Sequence, residues 1–468
     1  MSDWSLPNIV RKSKSNALKK LRAITYEDFD EAAKTFVRQS ALRLKAGNWL
    51  YDNMPGEDFL DGEIGDFKIL EEAKAHKIFA PFVVKQVFEP GTRITVIGDV
   101  HGDLESLVVI LQDLQRQGYL DEEFRIVAQD FVIMFLGDYS NYMPHSVEVV
   151  RLLFYLHRVN FGKVFLTRGN HEYAIANKAL YEQHATIGQQ DLGERYSLIE
   201  EFAEKFDIYY YPDLLYWYDY VPLTYYVGCA DEKTNVTNFI KFSHGGIEIG
   251  FNPQQLLVTR DVRFELIENI NRYNALQKIL TDKSLSHLHK KIKEVFSYLK
   301  QTPLKSLSET YTKKGLIEFD SPEALIMSKL GMQWNNFLPE DQDCGFAASL
   351  KHKSFYFGKA ITEYFLQDLS EGPGINIAAI ISSHQHFNDE DPAINFKSSM
   401  LDKLIENKGY VRQWQGIVHT LGDVGFTSGY NSYLVVQLEQ ALPEWTVTHF
   451  SKKIGDAAFK QVTQAMLG

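Results

Sequence analysis

The chain has 468 residues, 45% of them hydrophobic and 24% charged, a balance that supports a sizeable buried core and excludes wholesale disorder. Its formal net charge of -12 at pH 7 argues against a general nucleic-acid binder, which needs an excess of Lys and Arg to neutralise phosphates. Two cysteines, Cys229 and Cys344, exclude a disulfide framework or a thiolate metal cage.

Residues 1–91 read as a helical N-terminal flank. The opening "MSDWSLPNIVRKSKSNALKKLRAITYEDF" has no continuous apolar run, and nowhere do about 18 apolar residues follow one another, so no transmembrane segment is expected. Arg11, Lys12, Lys14, Lys19, Lys20 and Arg22 read as a solvated helix face, because no large apolar residues lie opposite them. Over 25–85 apolar residues recur at spacings of three and four behind a Thr25 cap, which predicts helix.

From about residue 92 the pattern changes. The runs ITVIGDV, ESLVVILQDLQRQG, FVIMFLGDY, SVEVVRLLFYLHRVN and KVFLTRGN alternate strand-like with helix-like segments. Such alternation predicts an α/β fold built of β-α-β units, with polar residues gathered at the carboxyl ends of buried strands. The tyrosine-rich stretch from Phe206 to Val227 reads as core or sheet face. Residues 92–250 form the first part of this core, 251–330 a helical insertion suited to a lid or a docking surface, 331–445 the second part, and 446–468 a C-terminal tail. His287 and His289 in the insertion are two apart and point to different sides of a helix, so they are assigned to no metal.

Five strand ends carry similar chemistry: Asp99 and His101, Asp138, Asn170 with His171 and Glu172, His244, and His384 with His386. A buried strand end needs a glycine to turn, but not two carboxylates and an imidazole within five residues, as in "VIGDVHGDL" at 96–104. Carboxylate oxygen and imidazole nitrogen are ligands for zinc, manganese or iron, and a metal site is the expected compensation. Asp103 reads as a neighbour of that site or as a cap for the helix after it.

The blocks GDVHG at 98–102, GDYSN at 137–141, RGNHE at 168–172, HGG at 244–246 and SHQ at 383–385 resemble those of the PPP-type phosphoprotein phosphatases, within the binuclear metallophosphoesterases. The likeness covers roughly 92–250 and 330–440 and implies a calcineurin-like metallophosphoesterase β-sandwich flanked by helices. It implies two divalent ions (Mn, Fe or Zn), with Asp99 and His101 on the first, Asp138 bridging both, and Asn170, His244 and His384 on the second. The implied reaction is hydrolysis of a phosphoprotein's phosphomonoester by a metal-bridging hydroxide, with His171 as general acid. Two dications, two aspartates and one hydroxide leave about +1 to attract the phosphate.

Departures from the family pattern bear on selectivity. Asn141 stands where the family has the carboxylate that orients the catalytic histidine, and Tyr142 where it has a phosphate-gripping arginine. A second arginine is replaced by Lys351 or Lys353, while Arg168 remains as a phosphate or structural contact. A neutral amide supports a protonated imidazole less than a carboxylate does, which matters least for a good leaving group. Phosphotyrosine, whose phenol has a pKa of about 10, is therefore expected to react better than phosphoserine, whose alkoxide lies nearer the ~15.7 of water. His386, in H-x-H spacing with His384, is a further candidate ligand to the first metal. Divergence and unusual flanks also resemble the effector phosphatases that some intracellular bacteria deliver into host cells, so the expected location is cytoplasmic or a host cell reached without a classical signal peptide. The alternatives are a small-molecule phosphoesterase, such as a dinucleoside-polyphosphate hydrolase, and an inactive phosphatase-like binding module.

Overall fold

The computed structural model describes residues 6, 8–22, 24–50, 81–172, 197–208, 216–267, 270, 272–294, 331–340, 345–349, 354–385, 400–425 and 428–467. Lys351, Lys353 and His386 lie outside the described residues, as does the whole stretch from 295 to 330.

Strands β1 (Phe82–Phe88), β2 (Arg93–Ile97), β3 (Phe131–Phe135) and β4 (Val164–Leu166) are followed by β5 (Thr224–Asp231), β6 (Val236–Ser243) and β7 (Phe264–Leu266). The second half adds β8 (Asn336–Phe337), β9 (Phe346–Ser349), β10 (Ser354–Phe357), β11 (Ile375–Ser382), β12 (Tyr410–Gln413), β13 (Val418–Leu421), β14 (Tyr430–Gln437), β15 (Thr446–Lys453) and β16 (Lys460–Ala465). One sheet runs β12-β13-β11-β6-β5-β1-β7, a second runs β16-β15-β14-β2-β3-β4, and β8-β10-β9 form a small third sheet.

Side-chain alternation explains why the large sheet is covered on both faces. Val84, Tyr225, Ile240 and Ile381 join the same core as Ile94, Val96, Ile133 and Val436 of the second sheet. Their sequence neighbours Val83, Tyr226, Phe239 and Ile380 face the other way, into a separate apolar cluster. The tyrosine-rich stretch is core where it is described, with Trp217, Tyr218, Tyr220, Tyr225 and Tyr226 all buried.

Helix α1 (Tyr26–Ala46) opens on a capping box between Thr25 and Asp28 and buries Phe29, Ala33, Phe36, Val37 and Leu44. Helices α2 (Leu104–Arg116) and α3 (Ser146–Val159) make the crossovers of the parallel β2-β3-β4 run. Asp103 is the cap of α2, its side chain accepting from the Ser106 N–H at 3.0 Å. Helix α4 (Leu198–Phe206) and helix α5 (Arg272–Thr281) complete the surroundings of the site.

Three expectations are corrected. Phe82–Phe88, placed in a helical flank, is a strand paired with β5 and β7, since its branched and aromatic run FVVKQVF suits a strand, its first four residues buried on both faces of the sheet. Phe264–Leu266, inside the supposed helical insertion, is the edge strand of the same sheet. The C-terminal segment is two strands, β15 and β16, extending the second sheet.

Candidate metal centre

Every described candidate lies just beyond the carboxyl end of a strand: Asp99 and His101 after β2, Asp138 after β3, Asn170 and His171 after β4, His244 after β6, and His384 after β11. The turns are locked to one another. The N–H groups of Val100 and His101 donate to the Asp138 carbonyl at 2.9 and 2.8 Å, and the His171 N–H donates to Asp138 Oδ1 at 2.9 Å. Close approach requires glycine here: a Cβ on Gly169 would sit 2.1 Å from Asp138 Oδ1. His101, Asp138, Asn141, Tyr142 and His384 all adopt positive φ, between 46° and 73°, and such non-glycine conformations cluster at functional sites.

Two groups of possible ligand atoms result, His101–Asp138–His171 and Asp138–His244–His384, each with its atoms within 4.8 Å of one another. Asp138 is common to both. Its Oδ2 lies 3.4 Å from His101 Nε2 and 3.3 Å from His244 Nε2, fully buried and accepting no hydrogen bond. Asp99 stands between the groups, 4.0 Å from His101 Nε2 and 3.3 Å from His244 Nδ1. Asn170 Oδ1 is 2.6 Å from His244 Nε2, and His384 Nδ1 is 3.1 Å from it.

The donor chemistry tests whether cations fit. His101 Nδ1 faces the Ser140 carbonyl at 3.1 Å and His244 Nδ1 faces the Leu136 carbonyl at 3.0 Å. A carbonyl only accepts, so both Nδ1 atoms carry hydrogen and the Nε2 lone pairs of the neutral rings point at carboxylate and amide oxygens. Acceptors facing acceptors require positive charge between them. Burial pushes Asp138 up, yet His244, His171 and His101 hold its carboxyl below the usual range; conversely, burial lowers His244, but Asp138 and Asp99 raise it well above an ordinary imidazole. Divalent cations satisfy the same demand without protonating the rings, and this nitrogen and oxygen set fits them.

His171, expected as a general acid, is therefore also within the first group. Asn141 Nδ2 is 2.9 Å from His171 Nδ1, and Asn141 Oδ1 accepts from the Leu198 N–H at 2.9 Å at the start of α4. Arg168 is buried, with its guanidinium 3.4 Å from Asp219. Tyr142 packs against the rings of His101 and His171.

Other residues acquire roles that sequence reasoning missed. Glu172 accepts from the N–H groups of Asp138, Tyr139 and Gly169 at 2.7 to 2.9 Å, and its place in RGNHE was the available signal. Burial, then the Asp138 charge, pushes its carboxyl up to about 8. Gln333 donates to the Gly169 carbonyl at 2.7 Å, and the Trp334 ring meets His384 edge-on at 5.7 Å; no pattern in the sequence marked either. Glu248, just past the HGG block, forms a buried two-point pair with Arg272 of α5 at 2.6 and 2.9 Å, fastening the former insertion to the loop of His244.

Over 136 residues the chain is 29% identical to serine/threonine-protein phosphatase T of Aspergillus oryzae, covering 26% of each protein. It is 33% identical over 101 residues to a putative serine/threonine-protein phosphatase of Caenorhabditis elegans, 20% of each protein. It is 29% identical over 126 residues to a bis(5'-nucleosyl)-tetraphosphatase of Halalkalibacterium halodurans, 24% of this chain and 48% of that protein. The matched segments thus span about a fifth to a half of these relatives' own lengths. Among solved structures, a serine/threonine phosphatase of Saccharomyces cerevisiae aligns with a TM-score of 0.42 and 16% identity over 85% of this chain and 87% of that one. A protein-tyrosine phosphatase of Shewanella aligns with a TM-score of 0.39 and 12% identity over 80% and 82%. The family described as calcineurin-like phosphoesterase matches residues 92–388, a span that holds every candidate ligand from Asp99 to His384, and the chain belongs to that family.

Proposed function

We propose that the chain is a metal-dependent phosphatase of phosphomonoesters, with phosphoproteins as substrates and phosphotyrosine preferred over phosphoserine. The observation that carries this reading is the buried Asp138 carboxylate shared by two histidine groups, with an oxygen that accepts no hydrogen bond. Asp99, His101 and Asp138 would surround one cation, and Asp138, Asn170, His244 and His384 a second, with His171 beside the first. Such cations supply Lewis acidity toward a phosphoryl oxygen and activate water near neutral pH.

The chain's own residues then set what leaves. Because the Leu198 N–H fixes Asn141 Oδ1 as an acceptor, Asn141 Nδ2 is turned to His171 and donates to Nδ1. His171 therefore carries its hydrogen at Nε2, 3.9 Å from Asp138 Oδ2, and presents it to the phosphoryl or leaving oxygen. A neutral imidazole donates a hydrogen bond but gives up a proton poorly, which favours an aryl leaving group over an alkyl one.

The test is hydrolysis of matched phosphotyrosine and phosphoserine peptides by protein stripped of metal and reloaded with manganese. Manganese-dependent turnover with higher kcat/KM on phosphotyrosine is expected; higher kcat/KM on phosphoserine overturns the preference. The partial identity to a tetraphosphatase favours a second reading, a dinucleoside-polyphosphate hydrolase. Turnover of diadenosine tetraphosphate with none of either peptide selects that reading, and protein that binds no metal and turns over nothing is the binding module.

A further inference from the structure

The loop that carries Asn141 also places an aromatic ring before the two buried imidazoles. Tyr142 has φ 73°, a left-handed conformation that reverses the chain at this residue. Its ring lies 4.7 Å from that of His101 and 4.9 Å from that of His171, centroid to centroid, while the two imidazoles stand 4.9 Å apart at 86°. His101 is fully buried and His171 only 5% exposed, whereas Tyr142 is half-buried. Of the three clustered rings, the tyrosine is the one that meets solvent. Across Asp138 the half-buried Trp334 stands in the same relation to His384. Neither ring offers a charge to a phosphate. Both are aromatic, the kind of side chain against which another aromatic ring gains by packing.

We propose that Tyr142 is a specificity-determining residue that selects aryl phosphoesters by packing against the ring of the group that will leave. This rests on the phosphatase reading above and adds a separate source of selectivity: Asn141 acts on bond breaking, Tyr142 on binding. The two are separable because a stacking contact is made before any bond changes.

The experiment is calorimetric binding to the manganese-loaded full chain of two non-hydrolysable peptides of equal sequence, one with a phosphonomethyl-phenylalanine and one with the phosphonate analogue of phosphoserine. Wild type, Tyr142→Phe and Tyr142→Leu are compared. The Kd ratio between the peptides is expected to favour the aryl phosphonate in wild type, to persist in Tyr142→Phe, and to shrink about fivefold in Tyr142→Leu. A ratio unchanged in Tyr142→Leu, or absent from wild type, overturns the proposal. Because the readout is binding, a protein that selects the aryl phosphonate through Tyr142 yet hydrolyses neither phosphopeptide upholds the proposal and defeats the phosphatase reading alone.

Discussion

Two groups of histidines, buried or half-buried, invite comparison. At the strand ends, His244 lies against Asp138 and Asp99, which raise its pKa despite burial. On β12 and β13 of the large sheet and β15 of the second, His419 and His449 flank Tyr410, its hydroxyl bonded to His419 Nδ1 and its ring 4.9 Å from that of His449. There the charged neighbours are Arg412 and Lys408, and burial pushes both imidazoles down to about 4. Burial is common to the two groups; the carboxylates are not. What marks a candidate cation site is the convergence of anionic oxygen and imidazole lone pairs, and a buried histidine without it is a core residue that stays neutral.

The comparison is broken most severely by Asp138→Asn. Removing the one carboxylate shared by both ligand groups should abolish stoichiometric metal binding and lower kcat/KM by about a thousandfold or more, since several kcal/mol of charge stabilisation go with the cations. Metal content by mass spectrometry and steady-state kinetics check both. An Asp138→Asn variant that keeps two ions and full turnover would refute the assignment.

The other group is tested by acid. Burial pushes His419 and His449 down to about 4, against 6.5 for an exposed imidazole. Between pH 6.5 and about 4 the unfolded chain takes up protons that the folded chain refuses. Their contribution to stability is whole above pH 6.5 and is lost as pH falls through that window, about 2 kcal/mol for each group at pH 5. Measured by urea unfolding, the stability of wild type relative to His419→Asn should fall by about 2 kcal/mol between pH 7 and pH 5. The substitution should leave manganese-dependent kcat/KM within about twofold, because the His419 ring bonds Tyr410.

The centre was legible because its residues are anchored to strand ends, where short apolar runs stop abruptly at polar residues, three of the five at a glycine. Asp99, His101, Asp138, Asn170, His244 and His384 could each be placed by counting from such a run. What periodicity could not reveal was contact between distant segments. Leu198 fixing the amide of Asn141, Gln333 holding the Gly169 carbonyl, and Arg272 pairing with Glu248 depend on how chain stretches far apart in sequence meet. Strand β1 was missed for a related reason. Pro81 and Pro90-Gly91 bound FVVKQVF, but so short an apolar run has no period to separate it from helix.

Asn141→Asp gives the smallest expected effect and sharpens the contrast most, because it adds to the centre the kind of group the distant histidines lack. One oxygen of the new carboxylate keeps the bond from the Leu198 N–H, at the N-terminus of a helix that favours negative charge. The other replaces an N–H that now points at His171 Nδ1, turning a donor into an acceptor. The ring can then hold hydrogen on both nitrogens and release one from Nε2 to a poor leaving group. We expect kcat on the phosphoserine peptide to rise about tenfold and kcat on phosphotyrosine to change little, because a phenol departs without that help. An equal rise on both peptides would mean that position 141 tunes the centre as a whole, and the leaving-group argument would fall.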